Sequence, residues 1–218
     1  MSPVAAEARF MGAVTALTMH EMQNILAIIR ESAGLMGDIL KVNAKVDFKH
    51  RPNMERTLDH ITTHVERGKG LLEATSRLAH SPDDDLLLAC DLSVYARTVA
   101  LLSERLVRLK GAAVRFTPCP TPLPVAVGAL MVLMAGYQAV QWAVGAGVKD
   151  GEVGLGVEPG QTEHRLIITP PAGLNPDPTL LDPIIMALPG QAIHKTWDGT
   201  GLALFFPAQN RAKNGAGT

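Results

Sequence analysis

Three polar side chains within five consecutive residues near the start of the chain could carry out chemistry together. His20 and Glu21 are adjacent, and Asn24 follows four residues after His20. An imidazole is a nucleophile and a proton carrier near neutral pH, and a neighbouring carboxylate can accept a proton from it. Residues four apart share one face of a helix, so the amide of Asn24 could orient an incoming phosphoryl group or a water molecule.

The segment that carries these residues has the pattern of a long amphipathic helix, predicted over residues 5–40. Taking about 100° per residue, its apolar side chains fall on one arc. They are Phe10, Met11, Val14, Leu17, Met22, Ile25, Ile28, Ile29, Leu35, Met36 and Ile39. His20 lies roughly 140° from the centre of that arc, in a column with small alanines above and below it. The pattern predicts an exposed imidazole that a partner can approach; the alternative is an ordinary solvated surface histidine.

A second helix is predicted after a loop at 42–51, with Pro52 in its first turn, where a proline costs little. The residues of its inner seam alternate spacings of four and three, the rhythm of a heptad repeat. They are Met54, Leu58, Ile61, Val65, Gly68, Leu72, Thr75 and Ala79. Two such helices form an antiparallel hairpin that leaves too much apolar surface in water. Pairing two hairpins into a four-helix bundle would bury it, which predicts a homodimer.

The run His20-Glu21-Met22-Gln23-Asn24-Ile25-Leu26 resembles the H-box of sensor histidine kinases, HExxN followed by apolar residues. In that family the histidine is the phosphoacceptor on the first helix of a dimeric hairpin, the dimerisation and phosphotransfer domain. The resemblance covers residues 1–80 well and the rest of the chain loosely. It implies that His20 receives a phosphoryl group, with Glu21 and Asn24 assisting it.

The remainder of the chain is predicted to be a small α/β sandwich, which makes the whole chain α+β. The run from Ser81 to Asp85 breaks the helical pattern. We therefore expect the hairpin domain at 1–80, a linker at 81–89, the sandwich at 90–209 and a disordered tail at 210–218. Asp91 is the expected N-cap of a helix that ends at Gly111. Further helices are predicted at 126–146 and 179–188, and strands at 114–116, 152–157, 164–169, 193–196 and 202–206.

This second domain resembles a histidine kinase ATP-binding domain without its nucleotide ligands. Residues 133–143 resemble the helix whose asparagines hold magnesium and phosphates in that family. The aligned positions here are Met134 and Gln138, or Ala135 and Ala139 one residue along. Neither pair contains an asparagine, and no aspartate stands at 168–173, where the family reads adenine. The resemblance therefore implies no ATP site, no cofactor and no metal held by this chain.

Two other features of the family are also missing from the expected places. The stretch 145–178 is too short to hold a nucleotide lid. The sequence Gly199-Thr200-Gly201 looks like a phosphate-binding glycine loop. Its position just before an apolar strand instead favours a hairpin turn around Asp198-Gly199.

Composition limits the classes of partner. A net charge of −1 gives no bulk attraction for nucleic acid. The apolar run 123–148 is interrupted by Pro124, Gln138 and Gln141, which predicts a buried helix and no membrane span. No basic and apolar leader is evident, and Cys90 and Cys119 lack CxxC spacing. A cytoplasmic protein with reduced thiols is expected.

His60 and His64 lie one turn apart on the second helix. That spacing could ligate a metal, but the sequence shows no third ligand beside them. We interpret both as flanking residues of the bundle seam.

Together these features predict a histidine phosphotransferase similar to the dimeric phosphotransferases of the ChpT type. Its catalytic residues would be His20, Glu21 and Asn24. It would accept a phosphoryl group on His20 from one response regulator receiver and pass it to another, with magnesium supplied by the receiver. Two alternatives stay open: a phosphatase in which Asn24 positions water against a receiver's aspartyl-phosphate, or a sequestering, pseudokinase-like interaction module.

Overall fold

The computed structural model describes residues 3–46, 49–84, 89–145, 150–182 and 193–209. The chain divides into two compact units, Met1–Ala79 and His80–Thr218. The first is a helical hairpin and the second combines helices with a mixed sheet. The mixed α+β fold class is therefore confirmed, and each unit is described by itself.

The first unit is built from α1 (Pro3–Val42) and most of α2 (Arg51–Asp84), whose last residues, from His80, belong to the second unit. Its buried apolar side chains are Ala33, Leu40, Leu58, Val65, Leu72 and Ala74. Three of those from α2 lie seven residues apart in the predicted seam, which confirms the heptad interpretation of that helix. The helices approach closely at Gly68, where a Cβ atom would lie 3.0 Å from Cδ1 of Leu26. A larger residue at this position would push the leucine aside.

The end of α2 differs from the prediction. The sequence predicts a linker from Ser81, whereas the helix continues to Asp84. A proline near the end of a helix removes one backbone donor but does not stop the remaining residues from keeping helical dihedrals. Ser81 is fully buried, so tertiary packing outweighs the breaker signal of Pro82. The loop between the helices agrees with its predicted bounds, since α1 ends at Val42 and α2 begins at Arg51.

Arg51, the first residue of α2, holds the turn between the two helices. Its guanidinium donates hydrogen bonds to the backbone carbonyls of Leu40 at 2.8 Å, Val46 at 3.1 Å and Asn43. Its Nη1 also lies 3.6 Å from Oε1 of Glu55. The last carbonyls of a helix have no intrahelical donor, and a cation there is favoured by the helix dipole. One side chain thus joins the end of α1 to the start of α2.

The second unit packs α3 (Leu92–Leu109) and α4 (Ala129–Ala143) against one face of a sheet. The strands are β1 (Cys90–Asp91), β2 (Ala112–Thr117), β3 (Pro124–Val125), β4 (Gly151–Glu158), β5 (Glu163–Thr169), β6 (His194–Trp197) and β7 (Leu202–Pro207). The main sheet has the order β2-β4-β5-β7-β6, in which β2 and β4 are parallel and the other neighbours antiparallel. The short pair β1 and β3 forms a separate ribbon, which the sequence pattern did not predict.

Residues alternate between buried and partly exposed along β4, β5 and β7 because only one face of the sheet meets the helices. Leu155, Ile168 and Phe206 are among the buried members. The approach of α4 is closest at Gly136, where a Cβ atom would lie 2.9 Å from Cγ2 of Val99. A glycine at this position lets the two helices and the sheet share one core.

The start of α3 is set by Asp91, as predicted. Its Oδ1 accepts hydrogen bonds from the N–H groups of Ser93 at 2.9 Å and Leu123 at 3.1 Å. The first bond caps the helix, and the second ties the helix start to the segment before β3. The helix ends at Leu109, and Gly111 adopts a φ of 81°. This left-handed glycine confirms the predicted stop signal.

The turn between β6 and β7 confirms the predicted terminal hairpin. The carboxylate of Asp198 accepts hydrogen bonds from the N–H of Gly201, and from the N–H and hydroxyl of Thr200, each at 2.8 Å. These bonds hold the pKa of the Asp198 carboxyl below its usual value. Gly199 has a φ of 92°. Glycine adopts this left-handed value without strain because it has no side chain.

Two predicted helices are shorter in the structure. The helix α4 begins at Ala129, because the N–H of Ala126 instead donates to the carbonyl of Pro207 at 2.8 Å. Within the predicted helix 179–188, the structure describes a short 3-10 turn, Pro178–Leu181, capped by Asp177. Residues 183–192 and the predicted tail at 210–218 lie outside the described residues.

Replacing Arg51 with alanine is expected to lower the free energy of unfolding of the hairpin by about 1.5–3 kcal/mol, the usual range for hydrogen bonds to a charged group. Far-ultraviolet circular dichroism during urea unfolding measures the loss of helix. Trp142 and Trp197 both belong to the second unit, so their fluorescence reports separately on that unit. Arg56→Ala is the matched control, because Arg56 is exposed on the same helix. Equal losses in the two variants would contradict this role of Arg51.

Candidate functional site

His20 and Asn24 lie one turn apart on the exposed surface of α1. Both side chains are exposed, and a separation of four residues places their Cβ atoms about 5–6 Å apart. Residues seven apart in a bundle helix form rows, and the row of His20 continues with Ala27 and Gly34. Neither can shield the imidazole, which is open to a partner. Glu21 belongs to the same helix, and its side chain lies outside the part of the structure that is described.

The helix α1 has more apolar rows than α2 covers. The row that faces α2 is Met19, Leu26, Ala33 and Leu40, whose side chains are partly or fully buried. Three other rows remain exposed, namely Met22, Ile29 and Met36, then Ile25 and Ile39, and then Ile28, Leu35 and Val42. We call these three rows the open face of α1. Every described member of the predicted apolar arc lies on the open face, so the arc points away from α2.

A groove of about 160 Å³ begins one turn after His20, between α1 and α2. It is lined by Gln23, Leu26, Ala27, Arg30, Val65, Glu66, Lys69 and Glu73. Nη1 of Arg30 and Oε1 of Glu66 lie 3.5 Å apart, and both side chains are about half exposed. Such a pair contributes little to stability, so its charges remain available to a partner. The groove places both signs of charge along the flank of the hairpin that begins one turn after His20.

The sequence analysis missed the residues that α2 brings to this groove. Glu66, Lys69 and Glu73 recur at spacings of three and four, which puts them on one flank of the helix. That spacing was the available signal. It did not stand out, because charged residues at these intervals are also typical of any solvated helix face.

In the second unit, α4 presents no suitable set of ligands for a magnesium nucleotide. Met134 is exposed and Gln138 partly exposed, whereas Ala135 and Ala139 are buried. The exposed pair therefore occupies the face on which ligands would have to lie. A thioether is a poor ligand for magnesium, which takes oxygen ligands. The helix also carries no charged side chain. The residues of α4 therefore do not fit a magnesium nucleotide.

The chain that follows β5 is held against the end of α4. Nε1 of Trp142 donates a 2.7 Å hydrogen bond to the carbonyl of Asp177. The indole ring of Trp142 also meets that of Trp197 edge to face, with ring centres 5.4 Å apart. Leu181 is almost completely buried in the same region. These contacts cover the end of α4 around Trp142 with residues from the segment after β5 and from β6.

The positions that read adenine and form the lid in the resembled family are also occupied differently. The strand β5 ends at Thr169 and is followed by Pro170 and Pro171, so no carboxylate stands at this point. Within the stretch 145–178, the strands β4 and β5 and the turn between them take up residues 151–169. The connection from β5 to β6 is longer, and residues 183–192 within it lie outside the described residues.

Neither a metal cluster nor a membrane span is found in the described ranges. Among these residues, no three His, Cys, Asp or Glu side chains come together as a metal site. His60 and His64 are both exposed on α2. Within the same ranges, no helix combines the length and the apolar character needed to cross a membrane.

No protein-family model and no curated protein matches the chain. Among solved structures, histidine kinase ThkA in complex with response regulator protein TrrA is 17% identical over 93% of this chain and 63% of that chain, with a TM-score of 0.45. Full-length ShkA in complex with AMPPNP is 15% identical over 90% of this chain and 45% of that chain, with a TM-score of 0.42. The Acinetobacter baumannii histidine kinase AdeS is 15% identical over 87% and 96%, with a TM-score of 0.38. This chain thus spans less than two thirds of ThkA and ShkA. Likenesses at these scores concern the fold and assign no activity.

We expect that the full chain does not bind Mg-ATP, because Met134 places a thioether where an oxygen ligand is required, and α4 has no carboxylate to join the single amide oxygen of Gln138. Isothermal titration calorimetry should show no heat of binding. Unchanged tryptophan fluorescence on addition of the nucleotide would agree with this result, since Trp142 lies in α4 itself. A micromolar affinity would contradict the expectation and favour an active kinase.

Proposed function

We propose that this chain is a histidine phosphotransferase that carries a phosphoryl group on His20 between response regulator receiver domains. The observation that supports it best is the exposed imidazole on α1, with Asn24 one turn away in the HExxN arrangement. Because α4 does not present a set of ligands for a magnesium nucleotide, we infer that the phosphoryl group would come from another protein and not from ATP.

In the proposed transfer, a neutral ring nitrogen of His20 attacks the phosphorus of a receiver's aspartyl-phosphate. A P–N bond forms while the P–O bond to the aspartate breaks, and the carboxylate leaves with the electron pair. The ring is then cationic, and Glu21, adjacent in sequence, can accept the proton from its other nitrogen. In the second transfer an aspartate oxygen attacks the phosphorus, and the imidazole leaves and regains the proton. The receiver supplies the magnesium that neutralises the phosphoryl oxygens, so this chain needs none.

The uncovered rows of α1 support a homodimer as part of this proposal. A lone hairpin would leave the open face in water, and such contiguous apolar surfaces mark sites of association. The described side chains of the open face carry no charge. The same rows of a second copy provide an equally uncharged surface at the same spacing. A four-helix bundle of two hairpins buries both faces and leaves the His20 row outside.

The groove beside His20 supports the assignment of receivers as partners. It offers an apolar floor from Leu26, Ala27 and Val65, with charges of both signs at its rim. A partner with a small apolar ridge and complementary charges could seat there and bring its phosphoryl group to the imidazole. The short side chain of Ala27 allows this approach.

A phosphatase is the second candidate function, and the exposure of Asn24 favours it. An exposed amide one turn from His20 can hold a water molecule against a receiver's aspartyl-phosphate. Hydrolysis then needs no phosphohistidine. The two candidates therefore differ in their dependence on His20.

For a phosphotransferase, His20→Ala is expected to abolish phosphoryl acceptance from a phosphorylated receiver, because the nucleophilic nitrogen is removed. Glu21→Ala should slow acceptance without abolishing it, since proton-transfer assistance is worth on the order of 10²–10⁴-fold. Asn24→Ala should mainly change the hydrolysis of the receiver's phosphate. Transfer of radiolabelled phosphate from candidate receivers measures all three variants.

Circular dichroism and the native mass serve as controls for the His20 and Asn24 variants. Their side chains are exposed, so neither truncation leaves a cavity and folding should survive. If His20→Ala still accepts label, another side chain is the acceptor and the role proposed for His20 is wrong. If His20→Ala loses acceptance but the receiver's phosphate is hydrolysed as before, the phosphatase is favoured.

The homodimer is tested by placing a charge on the open face. Ile29→Lys is expected to raise the dissociation constant of the dimer at least about 100-fold, because an unpaired charge in an apolar seam costs several kcal/mol. Sedimentation equilibrium of the full chain gives the mass. Leu109→Lys is the control, since Leu109 is exposed in the second unit. A wild-type chain that sediments as a monomer would refute the dimer.

A further inference from the structure

One row of α2 combines exposed leucines with a histidine. Thr57, His64, Leu71 and Leu78 lie seven residues apart and are all exposed. Taking about 100° per residue, this row lies on the flank of α2 opposite to Glu66 and Lys69 of the groove. We call it the His64 row. Leu71 is 48% exposed, so the hairpin leaves apolar surface in water on α2 as well as on α1.

We propose that His64 makes the homodimer acid-labile, because its protonation weakens the seam between the two copies. This inference rests on the dimer of the proposed function. In a four-helix bundle each helix contacts two neighbours. The two neighbours of a helix in such a bundle lie about a quarter turn apart, and the row of α1 about 100° from the row that faces its own α2 is that of Ile25, Ser32 and Ile39, with Ile28 and Leu35 beside it. In the proposed dimer this side of α1 would contact the α2 of the second copy, and the His64 row is the apolar flank of α2 available for the contact.

Among the four side chains of the His64 row, which would line the seam with the second copy, only that of His64 is a histidine or a charged residue. Histidine is the side chain that ordinarily changes charge between pH 5 and 8. A neutral imidazole can be buried between leucines at modest cost, whereas the protonated ring loses hydration that apolar neighbours cannot replace. The dimer would therefore bind fewer protons than two monomers. Its dissociation constant would rise as the pH falls.

The charged side chains near His64 also favour a dissociation constant that rises as the pH falls. On its own helix, the nearest charged or titratable side chains are His60, one turn before it, and Arg67, three residues after it, and neither is an acid. On α1 of the same protomer, Arg30 at this level lies on the groove side, paired with Glu66. Across the seam, the nearest acidic position is Glu31 of the second copy, one row outside Ile28 and exposed to solvent. A screened carboxylate at that place offsets little of the desolvation cost.

The test is sedimentation equilibrium of the full chain at about pH 7.5 and about pH 5.5, on either side of the ordinary titration range of histidine. The dissociation constant of the wild-type dimer is expected to rise roughly tenfold or more at the lower pH. His64→Leu should dimerise at both values and lose most of this pH dependence. His60→Leu is the matched control and should retain it, since His60 lies outside the apolar row. Circular dichroism at both pH values checks that the hairpin stays folded.

The outcomes separate this inference from the proposed function. A dimer at the higher pH with unchanged affinity at the lower pH overturns the role of His64 and leaves the dimer standing. The same holds if His64→Leu responds to pH as the wild type does. Tighter association in acid also overturns it, because the imidazolium would then pair with Glu31 across the seam. A monomer at both values removes the proposed dimer, and this inference with it.

Discussion

The contact between α1 and α2 covers a single apolar row of α1. The exposure of the open face and the exposure of the His20 row both follow from this narrow contact. Leaving a large aliphatic side chain in water forfeits about 1.5–3 kcal/mol relative to full burial. The eight exposed side chains of the open face, from Met22 to Val42, therefore represent a large unused driving force for association. In the proposed homodimer, a second copy would match them in spacing and in lack of charge. The row of His20 lies outside the row that faces α2 and outside the open face, so the proposed bundle would leave the imidazole in water.

The groove is a consequence of the same geometry. The seam between α1 and α2 is narrow at Gly68, where Leu26 fits against the backbone of α2. On one side of this contact the flanks diverge, and Arg30 meets Glu66 across the gap. If His20 is the phosphoacceptor, as proposed, the charges at the rim of this groove lie close to the approach of a partner and can discriminate between partners.

In the second unit, α4 carries its buried and its exposed side chains on different faces. Ala135 and Ala139 face the core and are buried, whereas Met134 and Gln138 lie on the other side of α4. Core packing and nucleotide binding therefore make demands on different faces of one helix. Substitutions on the exposed face leave the close approach at Gly136 intact. The hydrogen bond from Trp142 to the carbonyl of Asp177 holds the segment around Asp177 against the helix.

Local patterns in the sequence determined the two long helices, the seam of α2, the outward position of His20, the cap at Asp91 and the hairpin at Asp198. Periodicity and turn chemistry act over one or two turns of chain, so they can be read from neighbouring residues. Tertiary structure alone decided which row of α1 faces α2, how far α2 runs past Pro82, and that Glu66 and Lys69 form a groove with Arg30. The two-residue strands β1 and β3 also belong to this group. Each of these depends on surfaces from distant parts of the chain, where burial outweighs local preference by amounts that no short pattern contains.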